Sequence, residues 1–208
     1  MDEHMKKILV CGDSFSVPDA PYGTMWVDLL ARHHDICNLA MVAASNLMIS
    51  MQVSQALQAR PDFIIVNFTT CTRSEKRVGE QLIPFSYHTA GPDTTPFNTD
   101  QLRILNEYFK EFFDLPTAVY QNAMIIEHTL QRLVHSGIAF RFDQGGFEHA
   151  NFSQSQQGYF QNFDAYRSRY NLWDFAHTRS LRPYYHVQDA ELHHKVAKYY
   201  EECISAGI

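Results

Sequence analysis

Apolar positions alternate along the chain between two rhythms. Short runs, Ile8-Leu9-Val10-Cys11, Ile36 to Val42, Phe63 to Phe68 and Ile138 to Phe142, are apolar at most positions. Runs of that length bounded by Gly, Asp, Asn or Pro predict strands; the first reads as a buried central strand, and Phe63 to Phe68 is apolar enough to be buried on both faces. Between them apolar residues recur at helical spacing. Trp26, Val27, Leu29 and Leu30 mark a helix from about Thr24 to His33, and Ile49, Val53, Ala56 and Leu57 mark one between a Ser45 N-cap and Arg60-Pro61. Leu102, Leu105, Phe109 and Phe112 predict a third helix that stops at Asp114. Val119, Ala123, Ile126, Leu130 and Leu133 predict a fourth from Pro116 to Gly137, and a last helix from about Asp189 carries Leu192, Val196, Tyr199 and Cys203 on one face. Strands alternating with helices, without hairpin turn signals, predict parallel pairing through right-handed crossovers. The expected fold is α/β: a three-layer α/β/α sandwich around a mostly parallel sheet of four or five strands, in one domain over residues 1–208.

Two stretches break the rhythm and are expected to be insertions. Residues 76–98 hold two glycines and three prolines without a clear period and read as a long loop. Residues 145–185 are polar and rich in aromatic rings, and read as an excursion packed by its own rings or as a ring-lined ligand wall.

Composition narrows the function. A net charge of −6 with no Lys/Arg block argues against a general nucleic-acid binder. Met1 to Lys7 lacks the apolar core of a signal peptide, and no run approaches the ~20 apolar residues of a membrane span, so a soluble, cytoplasmic protein with no membrane partner is expected. Cys11, Cys37, Cys71 and Cys203 are scattered and read as free thiols. His177, His186, His193 and His194 are dense, but no His-Glu-x-x-His or paired Cys accompanies them, and no metal site is expected.

The first predicted strand stops on Gly12-Asp13-Ser14. In open α/β sheets, ligands bind at the carboxyl ends of the strands, so Ser14 stands where a nucleophile could act if a base and oxyanion donors converge on it. The turn holds neither Gly-x-Gly-x-x-Gly nor Gly-Lys-Ser/Thr, which removes the common phosphate-cradling readings.

Four blocks resemble the GDSL, or SGNH, hydrolases, particularly a bacteriophage-type branch. The first is Gly12-Asp13-Ser14-Phe15-Ser16 with Trp26 beyond it. The second is Asn38-Leu39-Ala40-Met41-Val42-Ala43-Ala44-Ser45-Asn46, in which Ala43 replaces a glycine. The third, Asn67-Phe68-Thr69 through Arg73 and Glu75, replaces the usual Gly-x-Asn-Asp. The fourth leads into the last helix. The resemblance implies a flavodoxin-like sandwich in which Ser14 is the nucleophile. It implies oxyanion or substrate contacts from Asp13, Ala43, Asn46, Asn67 or Thr69, and Arg73. Its base is a histidine just before the last helix, which selects His186; Pro183 stands where the family has aspartate, so Asp174 is the candidate orienting acceptor. His177, three residues after Asp174, and the Asp189/His193 pair are the alternatives.

Ester hydrolysis is therefore expected, with an acetyl or other small acyl group removed from a carbohydrate or modified small molecule and no cofactor required. The replacements at Ala43, Thr69 and Pro183 keep open a catalytically impaired binding or assembly protein of phage origin. Acyl transfer through the same serine is the other alternative.

Overall fold

The computed structural model describes residues 5–18, 25–86, 97–145, 160–172 and 190–208. In chain order the elements are β1 (Lys7–Cys11), α1 (Trp26–Leu30), β2 (Asp35–Asn38), α2 (Asn46–Ala59), β3 (Phe63–Asn67), β4 (Arg73–Val78) and β5 (Gln81–Ser86). They continue with α3 (Thr99–Glu111), α4 (Leu115–Ser136), β6 (Ala139–Asp143) and α5 (Ala190–Ala206). Four strands make one parallel sheet in the order β2-β1-β3-β6. This is the flavodoxin-like arrangement, with β1 and β3 central and the strand order reversing between them.

Side chains alternate across the sheet with the period of two that a strand imposes. Leu9, Cys11, Ile64, Val66, Phe140 and Phe142 face α2 and α4, whereas Ile8, Val10, Phe63 and Ile65 face α1 and α5. Both faces are thus covered, which is why the strands read as continuous apolar runs.

Local signals set the helix ends. Ser45 Oγ accepts from Met48 N at 3.3 Å to start α2. Asn98 and Gln101 form a reciprocal capping box at α3, and Asp114 Oδ2 accepts from Thr117 N at 2.9 Å at α4. Gly137, at φ 69°, ends α4 in the left-handed conformation that glycine adopts without a Cβ penalty.

Two expectations are corrected. The second strand ends at Asn38 rather than Val42: Asn38 Oδ1 takes the Ala40 N–H at 3.0 Å, and beyond Asn38 the chain leaves regular strand pairing while Leu39 N still donates to Val10 O at 2.8 Å and Met41 N to Gly12 O at 3.1 Å. The stretch read as an aperiodic loop begins as an antiparallel hairpin, in which β4 and β5 pair around Gly79-Glu80 with Gly79 at φ 61°. Its first strand, Arg-Ser-Glu-Lys-Arg-Val, has too few apolar residues to alternate, so no strand period is visible. Phe85 packs edge-to-face on Phe97 and Phe109, with centroids 6.1 and 5.9 Å apart, and these rings join Leu102 in a satellite core under α3.

Part of the aromatic excursion falls within the described residues, and there its rings are core. Tyr166 stacks on Phe140 at 4.6 Å, and Phe160 and Phe163 join the α2/α4 side. Among the described residues no helix is long and apolar enough to cross a membrane.

Candidate active site

Ser14 opens a short 3-10 turn, Ser14–Ser16, directly after β1, and is only 7% exposed. Residues from four surrounding elements pin this turn. Gln52, on α2, engages both backbone polar atoms of Gly12: Gly12 N donates to Gln52 Oε1 at 2.7 Å, and Gln52 Nε2 donates to Gly12 O at 3.2 Å. Trp26 Nε1, on α1, donates to Phe15 O at 3.1 Å, and Asn38 Nδ2, at the end of β2, donates to Ser16 O at 2.7 Å. Asn67 Nδ2, at the end of β3, donates to Ser16 Oγ at 2.7 Å. A Cβ on Gly12 would lie 2.9 Å from Ser16 Oγ and 3.2 Å from Asn67 O, so the close approach of β1 to β3 requires glycine there. Ser14 Oγ itself makes no hydrogen bond to another described residue.

Asp13 holds the turn from within. Its Oδ1 accepts from Phe15 N at 3.0 Å, capping the turn, while Oδ2 accepts from Thr69 Oγ1 at 2.8 Å and Arg73 Nη1 at 2.7 Å. The ion pair is well shielded, with side chains 2% and 14% exposed for Asp13 and Arg73. Arg73 Nη1 also reaches Ala44 O at 3.4 Å, which ties Asp13 to the β2–α2 connection. In that connection Ala43 adopts φ 61°, the conformation that favours glycine, and its N–H donates to no other described residue.

Asn46 is fully buried. Its Oδ1 accepts from Thr69 N at 2.8 Å, and its Nδ2 donates to Thr69 O at 2.9 Å and to Asn122 Oδ1 at 2.8 Å. Both amide protons are therefore engaged within the protein. Thr69 spends its hydroxyl proton on Asp13. Asn67 Oδ1, buried at the end of β3, has no hydrogen-bond partner among the described residues.

Of the histidine candidates, His193 is described: it lies in the first turn of α5 and is buried. α5 runs antiparallel to β1: Lys6 Nζ, before β1, donates to Ile204 O near the end of α5, while Tyr200, a turn earlier, packs at 5.1 Å on Trp26, whose Nε1 donates to Phe15 O beyond β1. The eleven residues from Ile204 back to His193 rise about 16 Å, and β1 spans about 13 Å, so α5 begins at the level of the Ser14 turn. His186, His177, Asp174 and Asp189 lie outside the described residues, as does Pro183.

Sequence reasoning missed Gln52, Asn38 as an anchor of the turn, and Asp143. Gln52 carries a readable signal, a polar residue three positions after Ile49 on the buried stripe of α2. Asp143 ends β6 and is buried. Its Oδ1 accepts from Gly145 N at 3.0 Å and its Oδ2 from Leu172 N at 2.9 Å. Gly145 sits at φ 50°, where a Cβ would lie 2.1 Å from Phe68 O, so no side chain fits. The Tyr200 phenol is pushed well above its ordinary range by burial, with the charge of Asp143 adding to the effect.

No family model matches the chain, and no curated protein matches it. Solved structures do. One is the psychrotrophic esterase EstA from Pseudoalteromonas sp. inhibited by monoethylphosphonate, at TM-score 0.50 and 14% identity over 96% of this chain and 97% of that one. Another is TesA, at TM-score 0.54 and 10% identity over 97% of this chain and 99% of that one. At these identities the likeness is one of fold. The chain has the α/β sandwich that the resemblance to SGNH hydrolases implies.

Proposed function

We propose that the protein is a serine-dependent ester hydrolase with Ser14 as nucleophile, His186 as general base and the N–H groups of Ser14 and Ala43 as oxyanion donors. One observation carries this reading: a shielded serine at the carboxyl edge of the central strand, held rigidly from several elements while its own Oγ stays unengaged by the described residues. A nucleophile is useful when it is fixed in place and its lone pair is free.

In this reading the base takes the Ser14 Oγ proton as Oγ bonds the carbonyl carbon, and the carbonyl π electrons move onto oxygen. Collapse of that oxyanion breaks the bond to the leaving alcohol, which takes the proton back from the imidazolium. Water then attacks the acyl-serine with the same base, releasing the acid and restoring Ser14. Asp174 orients His186. The level at which α5 begins supports a base drawn from the chain just before it, with His177 and His193 as the alternatives. Asp13, Asn46, Thr69 and Arg73 act as positioning residues, since their polar atoms are engaged in holding the edge together.

A second reading, a binding protein without turnover, is favoured by the engagement of the Thr69 hydroxyl with Asp13 and of the Asn67 amide with Ser16. Hydrolysis of a homologous series of p-nitrophenyl esters by the wild type, Ser14→Ala, His186→Ala, His177→Ala and His193→Ala separates the two. Hydrolase action predicts background rates for Ser14→Ala and His186→Ala alone. The binding reading predicts rates equal to background in all five proteins.

A further inference from the structure

α2 and α4 cover the same face of the sheet, and between them lie Ile49, Val53, Val119, Ala123 and Ile126. One flank of this contact is polar instead. Asn46 Nδ2 donates to Asn122 Oδ1 at 2.8 Å, the hydroxyls of Ser50 and Thr129 meet at 2.8 Å, and Arg132 Nη1 donates to Ser54 Oγ at 2.9 Å. The partners on α2 recur every four residues and those on α4 after seven and three, so each set runs along one face of its helix. Both sets ascend together, and the two helices are therefore parallel. Apolar contact is non-directional, whereas a hydrogen bond holds only over a narrow range of distance, so this seam sets the register of α2 on α4.

Two of the three bonds lead back into their own helices: Thr129 Oγ1 also meets Ile125 O at 2.7 Å, and Ser54 Oγ donates to Ser50 O at 2.9 Å. The third leads into the candidate site. Asn122 Nδ2 donates to Ala118 O at 2.8 Å, which fixes the way its amide faces and leaves its oxygen towards Asn46. That oxygen takes one of the two Asn46 amide protons. The other goes to Thr69 O, Asn46 Oδ1 accepts from Thr69 N, and Thr69 Oγ1 donates to Asp13, the residue before Ser14. Asn46 and Thr69 are fully buried, so an Asn46 N–H released by the loss of Asn122 has no water to turn to and the amide must leave its clamp on Thr69 to find a partner. Asparagine is also a poor helix former in the interior of a 22-residue helix, a local cost that this contact offsets.

We infer that Asn122 is a positioning residue for the Ser14 turn, acting from α4 through Asn46 and Thr69 on Asp13. It touches none of the reacting groups. Its kinetic consequence rests on the serine hydrolase reading above, while its hold on Asn46 and Thr69 does not. The inference gives α4, which contributes no residue to the carboxyl edge itself, a part in setting that edge.

The test compares Asn122→Ala, Asn122→Asp and Thr129→Val with the wild type. Three quantities are read: hydrolysis of p-nitrophenyl acetate above the rate of Ser14→Ala, hydrogen exchange of the Thr69 amide by NMR, and the urea midpoint. Asn122 is half-buried and alanine is the best helix former, so Asn122→Ala keeps α4. Thr129→Val breaks the middle bond of the same seam at a fully buried position, and so lowers the urea midpoint without touching the path to Asp13. Asn122→Ala should lower kcat about tenfold with KM within about twofold, since small misplacements far from the chemistry cost rate. It should also speed exchange of the Thr69 amide by about tenfold, and Asn122→Asp, which keeps an acceptor for Asn46, should recover most of both losses. Thr129→Val should leave kcat and Thr69 exchange within about twofold of the wild type. Equal falls of kcat in Asn122→Ala and Thr129→Val, or a kcat that Asn122→Ala leaves unchanged, overturn the inference while the hydrolase reading stands. Faster Thr69 exchange in Asn122→Ala alone, in a protein without Ser14-dependent turnover, supports the hold of Asn122 on Thr69 and overturns the hydrolase reading instead.

Discussion

The carboxyl edge around Ser14 and the satellite formed by β4, β5 and α3 are neighbours held together by different forces. The edge is polar and cross-linked. Asp13, Asn38, Asn46, Gln52, Thr69 and Arg73 each make hydrogen bonds that cross between elements, most of them shielded from water. The satellite is held by rings: Phe85, Phe97 and Phe109 pack edge-to-face, and β4 is half-buried or exposed along its whole length. A two-stranded hairpin is marginal by itself, so this one depends on that ring cluster. Directional bonds fix atoms to within tenths of an ångström, whereas ring packing fixes a surface and tolerates repacking. The difference suits the proposed task of the edge, placing a nucleophile.

The largest break in the comparison is predicted for Arg73→Ala, which leaves the Asp13 carboxylate buried without its cation. The loss should be roughly 3 kcal/mol of unfolding free energy, read as a lowered denaturant midpoint with unchanged slope. Arg73→Lys should recover part of it. A loss within 0.5 kcal/mol would mean that the Asp13 network is not what holds the edge.

Phe109→Ala should cost about 3 kcal/mol, but locally, by opening the satellite. Amides of β4, β5 and α3 should then exchange roughly a hundredfold faster in hydrogen-exchange mass spectrometry, while those of β1 and β3 keep their protection. Equal loosening of both regions would show that the satellite and the edge unfold as one unit.

These contrasts also explain how far the sequence could be read. The four sheet strands and the breaks at Asp114 and Gly137 follow from periodicity and capping, which are local. The satellite was not legible. Its β4 has no apolar alternation, and the rings that hold it lie far apart in sequence, with Phe85 meeting Phe109 only in the folded chain. At the edge, the Gly-Asp-Ser turn announced itself, but the partners of Thr69 and Asn67 did not. A side chain's hydrogen bonds depend on which neighbour the sheet register brings within 3 Å, and one sequence does not state that. Ala43 was legible as a glycine-like position, and its φ of 61° gives the physical reason.

Smaller effects sharpen the same division. Burial pushes the Cys11 thiol up to about 12 and the Cys71 thiol to about 11, whereas Cys37 is exposed. A thiol reagent at pH 8 should therefore modify Cys37 quickly and leave Cys11 and Cys71 untouched until the protein unfolds. Rapid modification of Cys11 would show that β1 opens readily.

The smallest effect belongs to Asp114. Its hydrogen bonds to Thr117 hold the carboxyl below the usual range, so the folded state favours the ionised form. That stabilisation is complete above the ordinary carboxylate pKa and is lost as pH falls through the lowered one. The stability difference between wild type and Asp114→Ala should shrink between about pH 5 and pH 2, measured by urea unfolding. A difference independent of pH would remove the ionised cap from the account.

The central claim is that Ser14 is a poised nucleophile, and covalent capture tests it most directly. The wild type and Ser14→Ala are treated with an alkyl fluorophosphonate, and adducts are located by peptide mass spectrometry. The account predicts one phosphonyl group per chain, on Ser14, with none on the Ser14→Ala protein. Absence of an adduct on Ser14, or equal labelling of both proteins at another residue, would contradict it.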